Sequence, residues 1–573
     1  MAEPPEQTPL LAGHESPSGA AAHGGRGTPE DLLPNPADGP NHRVGFARGL
    51  AVGTSLFVLI FIHSTNMSGL TMIQGPLSSS LHAPTSAQSL TTSYLIAMSS
   101  LLPLLGRLTA VLSPRAIVLP SAALFSLGSL LASQATSYAV FLAARIVTGV
   151  GGAGIVVMAV VFVIELTGAR TRGVAIGFVN AAFTMGVSVG AAVYGVLEPV
   201  AGWRPLFWFP SPIVFLAGIS LHLSLPASMS LPPAEQPGKP ASLRQRLAGI
   251  DYLGASLLTL TIVLFLHSLS TTIHPLPLLT SLLTLTLFAL AESRSNDPII
   301  PLPVLTSRPI LLSCLAQLGL MSARWTILFY APISMLSLRA ASPAEAGSLL
   351  IATNIGFSLG GLAIGWLHVR RQGSFYRAQL LSQLAFALTV LVSSILTPLI
   401  CSPSYSSRAP FAAFVTTICL NGIITGISLN YALVHVLHLS HPSTSYVTTS
   451  LIATFRGFGG SFGTSLGGGI FIRVLRTRLI AGFLSLDCDD ELSPRRRKMV
   501  DELLGSPQLV WEEGFLGERE REVAMGGYAD AIGSVWRAAA CLGVVVVVVQ
   551  AAAGWTAPGE GEGEERTLQE DEG

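Results

Sequence analysis

The sequence predicts an all-α integral membrane protein with about fourteen spanning helices. Three observations predict it. Of 573 residues, 50% are hydrophobic and only 11% are Asp, Glu, Lys or Arg, whereas a soluble domain carries about 25%. Apolar runs of about 20 residues, the length of a membrane-crossing helix, follow one another from residue 47 onward. The 57 glycines, beside 7% aromatic residues, suit close helix–helix contact through small side chains. The runs are about twice the length of membrane barrel strands, so helices are meant.

Residues 1–45 are polar and rich in Pro, Gly and Ala, with no charged segment ahead of a short apolar core. They read as a disordered tail with no cleaved signal. The expected spans are 48–73, 88–106, 116–133, 139–165, 173–198 and 205–225, then 250–270 and 275–292, then 310–335, 346–368, 377–400, 410–436, 446–472 and 532–552. A Pro-rich, basic stretch at 227–249 divides a six-helix part (46–226) from the rest. The rest reads as two extra helices within 250–307 and six more within 308–552, the last two joined by a long loop at 473–531. Residues 553–573 form an acidic tail that reads as disordered.

Charge alternates between connections. Arg107, Arg115, Arg170, Arg172, Lys239, Arg294, Arg308, Arg370, Arg371 and Arg377 all fall on one side of the expected topology. The positive-inside rule places that side, and both termini, in the cytosol. The basic residues of 473–531 fall on the other side, where a long loop escapes the rule.

The five cysteines form no pair at metal-ligand or redox spacing. No phosphate loop, zinc-protease helix or nucleophile elbow is present, so an enzyme is not expected, nor a cofactor or metal. The chemistry lies in the few polar groups placed in oil. Arg145, Arg324 and Arg456 fall well inside expected helices. A buried charge there is costly, so each must face the interior or a water-filled cavity. No Asp or Glu falls at mid-membrane; Glu165, Glu198 and Asp251 all lie near helix ends. The stretch "IFIHSTNMSG" (60–69) puts His63 and Asn66 on one sector of the first helix. His63 and His267 are the proton-carrier candidates. Tyr94, Asn180, Tyr330, Asn354, Asn421 and Asn430 are the other polar handles of an interior cavity.

Several motifs stand in a telling order. "GRLTAVLSPR" (106–115) joins the second and third helices. "RIVTGVGGAG" (145–154) is followed by "ELTGARTRG" (165–173), "GFVNAAFTMGVSVGAAVYG" (177–195), "GWRPLFW" (202–208) and, far downstream, "FRGFGGSFGTSLGGGIF" (455–471). In this order they resemble the major facilitator superfamily, within it the fourteen-helix drug:proton antiporters and the related fungal vacuolar basic amino acid transporters. The resemblance implies two six-helix bundles plus two extra helices, rocking around a central site. It implies gating roles for Gly106, Arg107, Arg115, Glu165, Arg172, Gly186, Gly190 and Gly195, with the helix-five glycines approaching a neighbour from the other half. The sequence departs from the pattern at Ala110, where the family carries Asp, at Ser113–Pro114 in place of Gly–Arg, and at Ala191 in place of Pro. His63 stands nearest to the first-helix Asp of the drug antiporters.

The implied function is secondary transport of a small organic solute, an amino acid or an amphipathic drug-like compound, coupled to protons. The alternative is a transporter-like nutrient sensor that binds without turnover, since gate and proton residues are missing. The expected partners are the cargo, protons and lipid, with no nucleic acid and a monomeric chain. "EQTPLL" places Glu6 ahead of Leu10 and Leu11, the pattern of an acidic dileucine signal read by a sorting adaptor. It favours the vacuolar membrane over the plasma membrane.

Overall fold

The computed structural model describes residues 45–166, 172–226, 247, 249–270, 273–295, 307–367, 375–401, 408–439, 445–487 and 491–554. Among these residues every regular element is helical. The first bundle holds α1 (Phe46–Ser80), α2 (Ala87–Leu112), α3 (Pro114–Ser133), α4 (Tyr138–Leu166) and α5 (Arg172–Ala201). Its sixth rod is broken before Pro210 into α6 (Arg204–Trp208) and α7 (Pro210–Ser224). An added hairpin follows, α8 (Tyr252–Ser270) and α9 (Pro275–Arg294). The second bundle holds α10 (Arg308–Leu338), α11 (Pro343–Leu367), α12 (Tyr376–Leu396), α13 (Arg408–Leu439) and α14 (Ser445–Asp487). After the short α15 (Pro494–Gly505) the bundle is completed by α16 (Glu518–Ala552).

The two bundles are an internal repeat. In the first, α1 packs on α5 and α7, α2 on α4, and α3 on α4 and α7. In the second, α10 packs on α14 and α16, α11 on α13, and α12 on α13 and α16. Even the kinks correspond: α1 and its counterpart α10 each hold an interior proline near the end of the helix, Pro76 and Pro332. Across the interface α5 meets α11, α2 meets α14, and α1 touches α10. The added hairpin covers the α2–α14 seam. The Thr259 hydroxyl donates to the Ser100 carbonyl at 3.1 Å, and Ile262 and Leu266 of α8 bury against Phe458 of α14.

Among the described residues thirteen helices are long and apolar enough to cross a membrane. The remaining expected one, 446–472, is the glycine-rich part of α14, which carries Arg456. It is an inner helix, packed on α2, α8, α10 and α16, and its small and polar residues lower its apolar character.

The segment expected as a long loop at 473–531 is instead mostly helical. Helix α14 runs on to Asp487 and α16 begins at Glu518. Leu475, Leu479 and Phe483, four residues apart, bury against Ala524, Tyr528 and Ile532. The interleaved charges ride on the outside of this pair, as in Arg478–Asp530 at 3.0 Å. Helix α15 and the 3-10 turn Pro507–Trp511 then lie across the end of both bundles. Gly505 abuts Pro84 and Gly75 abuts Ser506 on the first bundle. The Trp511 indole N–H donates to the Ser337 carbonyl of the second at 3.0 Å. This is the capped end of the molecule; the chain enters and leaves the fold at the opposite end.

Candidate functional site

Two buried arginines organise the interior, one per bundle. Arg145 projects from α4 between α1 and α2, and donates from Nη1 to Asn66 Oδ1 in a short hydrogen bond. Its guanidinium carbon lies 4.5 Å from the centroid of the Tyr94 ring, a cation–π stack. The Tyr94 hydroxyl and His63 Nδ1 share a hydrogen bond of 2.6 Å. His63, Asn66, Tyr94 and Arg145 are at most 1% exposed. Arg145 Nε and Nη2, His63 Nε2 and Asn66 Nδ2 have no hydrogen-bond partner among the described residues.

The glycines of "RIVTGVGGAG" make this nest possible. A Cβ at Gly149 would fall 2.7 Å from the Tyr94 carbonyl, and one at Gly152 2.6 Å from the Tyr94 hydroxyl. Gly151 and Gly154 likewise seat α4 on α3, at Phe125 and Ser121. The motif therefore brings α4 close enough for Arg145 to reach α1 across the face of Tyr94.

Arg324 of α10 is the counterpart, with the roles exchanged. The second bundle's first helix supplies the arginine, and its second and fourth helices supply the acceptors. Arg324 Nη1 donates to Thr353 Oγ1 at 2.7 Å and to Asn421 Oδ1 at 3.1 Å. Nη2 donates to Asn354 Oδ1 at 3.3 Å. Asn421 is held in turn by Thr389 at 2.8 Å. Asn354 reaches across the interface and donates to Ser188 Oγ of α5 at 3.0 Å. Arg456 is also satisfied internally, by Gln317 Oε1 at 3.2 Å and the Leu429 carbonyl at 2.9 Å, and it ties α14 to α10 and α13.

Other expected site residues scatter. Tyr330 is buried against Phe329 and Phe471 on the α10 side of the interface. Asn430 is half-buried and donates to Gly426 of its own helix at 3.0 Å. Asn180 is exposed on the first half of α5. His267 does not join the nests: it is exposed at the capped end of α8, stacked on His274. The expected span 250–270 already ended where α8 does, three residues beyond His267.

The gating expectations are revised in part. Gly186 and Gly190 do not face the other half. A Cβ at Gly190 would fall 2.6 Å from Ser68 Oγ of α1, and Gly186 sits against Phe61 and Ser64. They seat α5 on α1 within one bundle, because α5 crosses α1 along that face. Gly195 does meet the other half: a Cβ there would fall 2.6 Å from the Pro343 carbonyl of α11, and Gly347 returns the contact against Ala191. Gly106 is exposed. Arg115 is half-buried, and its carbonyl is 3.0 Å from His222 Nδ1. Arg107, also half-buried, lies in the last two turns of α2. Ser113, standing where the family carries glycine, keeps a glycine-like φ of 89°. The side chains of Glu165 and Arg172, and residues Glu6, Leu10 and Leu11, lie outside the described residues.

The interbundle contacts run from mid-membrane to the capped end. Beyond Gly195–Pro343 and Asn354–Ser188, Gln88 Nε2 donates to the Thr464 carbonyl at 2.8 Å, pinning α2 to α14. Phe183 of α5 meets Trp325 of α10 edge-on, with centroids 6.4 Å apart. Between them remains a cavity of about 10 Å³, bordered by Met67, Leu95, Trp325, Leu350 and Thr464 among others. It has room for about one water. Sequence reasoning missed Gln88, Ser188, Thr353 and Thr464. Their signal was present as isolated polar residues within apolar runs, but it did not tell interface from interior.

The family model described as Major Facilitator Superfamily matches residues 56–464, well over half of the chain. The chain is 25% identical over 467 residues to the multidrug resistance protein fnx1 of Schizosaccharomyces pombe, covering 80% of this chain and 85% of that one. It is 24% identical over 517 residues to the MFS efflux transporter aclA of Aspergillus oryzae, covering 87% and 88%. It is 27% identical over 315 residues, 55% of each chain, to vacuolar basic amino acid transporter 1 of Saccharomyces cerevisiae. Among solved structures, an inward-facing bacterial homologue of the lysosomal transporter Spinster superposes with a TM-score of 0.57 at 13% identity, covering 89% of this chain and 97% of that one. A repeated six-helix bundle, nests at matching depth in each repeat, and a family match across both bundles agree: the chain belongs to the major facilitator superfamily, a family of membrane transporters and not of enzymes.

Proposed function

We propose that the protein is a secondary active transporter of a small organic solute, an amino acid or an amphipathic drug-like compound, that works by alternating access. The observation that carries this reading is the position of the interbundle contacts, which join the two repeats from mid-membrane to the capped end around the remnant of a central cavity. Rocking about that region would exchange access between the two ends. The basic residues at the opposite end, including Arg107, Arg115, Arg294, Arg308 and Arg377, support a cytosolic orientation for it. His63 is the proposed proton-coupling residue, because it is wholly buried beside Tyr94 and its Nε2 is unbonded among the described residues. The dileucine pattern and the vacuolar relative support the vacuolar membrane as the site of action, with a monomeric chain and a sorting adaptor at Glu6, Leu10 and Leu11.

Reconstitution into proteoliposomes tests the reading. A mixed panel of amino acids and amphiphilic drugs should include solutes whose flux depends on a pH gradient. His63→Ala should remove that dependence. Saturable binding with no flux would replace transport with sensing.

A further inference from the structure

We propose that Arg145 is the recognition point for a carboxylate on the cargo, with Asn66, Tyr94 and His63 shaping the site around it. This rests on the transport reading above and narrows its cargo to organic anions and zwitterions. A guanidinium carries five N–H donors. Asn66 takes one of them, and the Tyr94 ring covers one face of the plane. The edge that holds Nε and Nη2 bonds nothing, although the side chain is wholly buried. That in-plane edge is the fork that recognises a carboxylate through two parallel hydrogen bonds. His63 Nε2 and Asn66 Nδ2 add two further unbonded polar atoms to the same nest.

The other two interior arginines sharpen the inference. Arg324 faces the same problem at the matching depth of the second bundle, and solves it with Thr353, Asn354 and Asn421. Arg456 solves it with Gln317 and a backbone carbonyl. Only at Arg145, among these three, is the fork left without acceptors. Among the described residues no salt bridge offsets its charge. A buried cation of this kind is costly in a membrane unless an anion comes to it. The interbundle cavity, bordered by Met67 and Leu95, the chain neighbours of Asn66 and Tyr94, admits about one water in this arrangement. The carboxylate site therefore opens when the bundles part.

Thermal unfolding of the purified full-length chain in detergent tests the assignment with three matched pairs: phenylacetate and phenethylamine, hexanoate and hexylamine, glutamate and lysine. Sodium chloride at equal ionic strength forms a separate arm. At least one carboxylate should raise the unfolding temperature saturably, beyond its amine partner and beyond chloride. Arg145→Gln should abolish that shift. Asn66→Asp guards against a misfolded Arg145 variant, because it supplies an internal carboxylate to the fork. It should fold and weaken carboxylate binding by about tenfold or more, the scale of one charge-assisted hydrogen bond. Stabilisation by the amines alone, an equal effect of chloride, no shift with any carboxylate, or undiminished carboxylate binding in Asn66→Asp would each overturn the site. Carboxylate binding without flux would leave the site standing and remove the transport reading. Amine flux that is indifferent to Asn66→Asp would do the reverse.

Discussion

Gly186→Ala and Gly106→Ala add the same methyl group, and the packing predicts opposite consequences. At Gly186 the new Cβ would lie 3.1 Å from the Phe61 carbonyl carbon, and nearer still to the Phe61 oxygen and Ser64 Oγ. The serine hydroxyl can turn away; the α1 backbone cannot. Forcing α5 off α1 costs about 1–3 kcal/mol as overpacking. It also strains the bond from Thr65 Oγ1 to the Gly186 carbonyl, 3.2 Å long, worth about 1 kcal/mol. The helix-propensity gain of Ala over Gly returns about 1 kcal/mol. The net is a loss of about 1–3 kcal/mol. At Gly106 nothing lies within 4 Å of the built Cβ, so only the propensity gain remains, about 0.5–1 kcal/mol. Thermal unfolding of both variants in one detergent measures the difference. Shifts of the same sign, or a Gly186→Ala protein as stable as the parent, would refute the seating of α5 on α1.

Ser113→Gly should stabilise the protein by about 1 kcal/mol, because φ of 89° at Ser113 lies where only glycine is unstrained; chemical denaturation reads it, and a loss of stability would contradict it. Arg324→Leu should cost on the order of 3 kcal/mol, since it strands the amide and hydroxyl partners of three buried bonds. Asn354→Leu keeps the arginine but severs the link to Ser188, and should favour opening of the capped end, read as faster labelling of a cysteine placed at Ala346, which is buried near the capped end of α11. Trp511→Phe removes the indole bond to Ser337 and should have the same direction of effect, worth about 1 kcal/mol. Burial, reinforced by Asp530, pushes the Cys401 thiol up to about 11. Its thiolate is therefore scarce at neutral pH and grows as pH rises toward that value, so alkylation by iodoacetamide should speed up about tenfold per pH unit between 8 and 10. A rate that levels off by pH 10 would show an unshifted thiol.

Much of the fold was legible because membrane helices announce themselves by length and apolarity. That Arg145, His63, Asn66 and Tyr94 are interior polar groups was legible for a related reason: polar groups in oil stand out, and α-helical spacing puts His63 and Asn66 on one face. What each arginine binds was not legible. The contrast between a satisfied Arg324 and an open Arg145 depends on Thr353 and Asn421, which come from other helices. The helix-five glycines show the same limit. Their spacing defines a face, but whether that face meets α1 or α11 is decided by how α5 crosses its neighbours. The helical ends of α14 and α16 were hidden by their charges, although Leu475, Leu479 and Phe483 already carried a spacing of four. His267 was misjudged although its helix end was expected correctly: it stands three residues from Ser270, and which face of the last turn it occupies is set by the packing of α8.

Alternating access is tested most directly by two inter-bundle distances in one membrane-reconstituted protein whose native cysteines are replaced. One spin-label pair would sit at Val200 and Ser348 on the capped end, exposed positions of α5 and α11, and the other at Ala116 and Arg377 on the opposite end, exposed positions of α3 and α12. The account predicts a short capped-end distance in the population that matches this structure, and a second population in which that distance lengthens while the opposite-end distance shortens. Transport that proceeds while both distances stay fixed would contradict it.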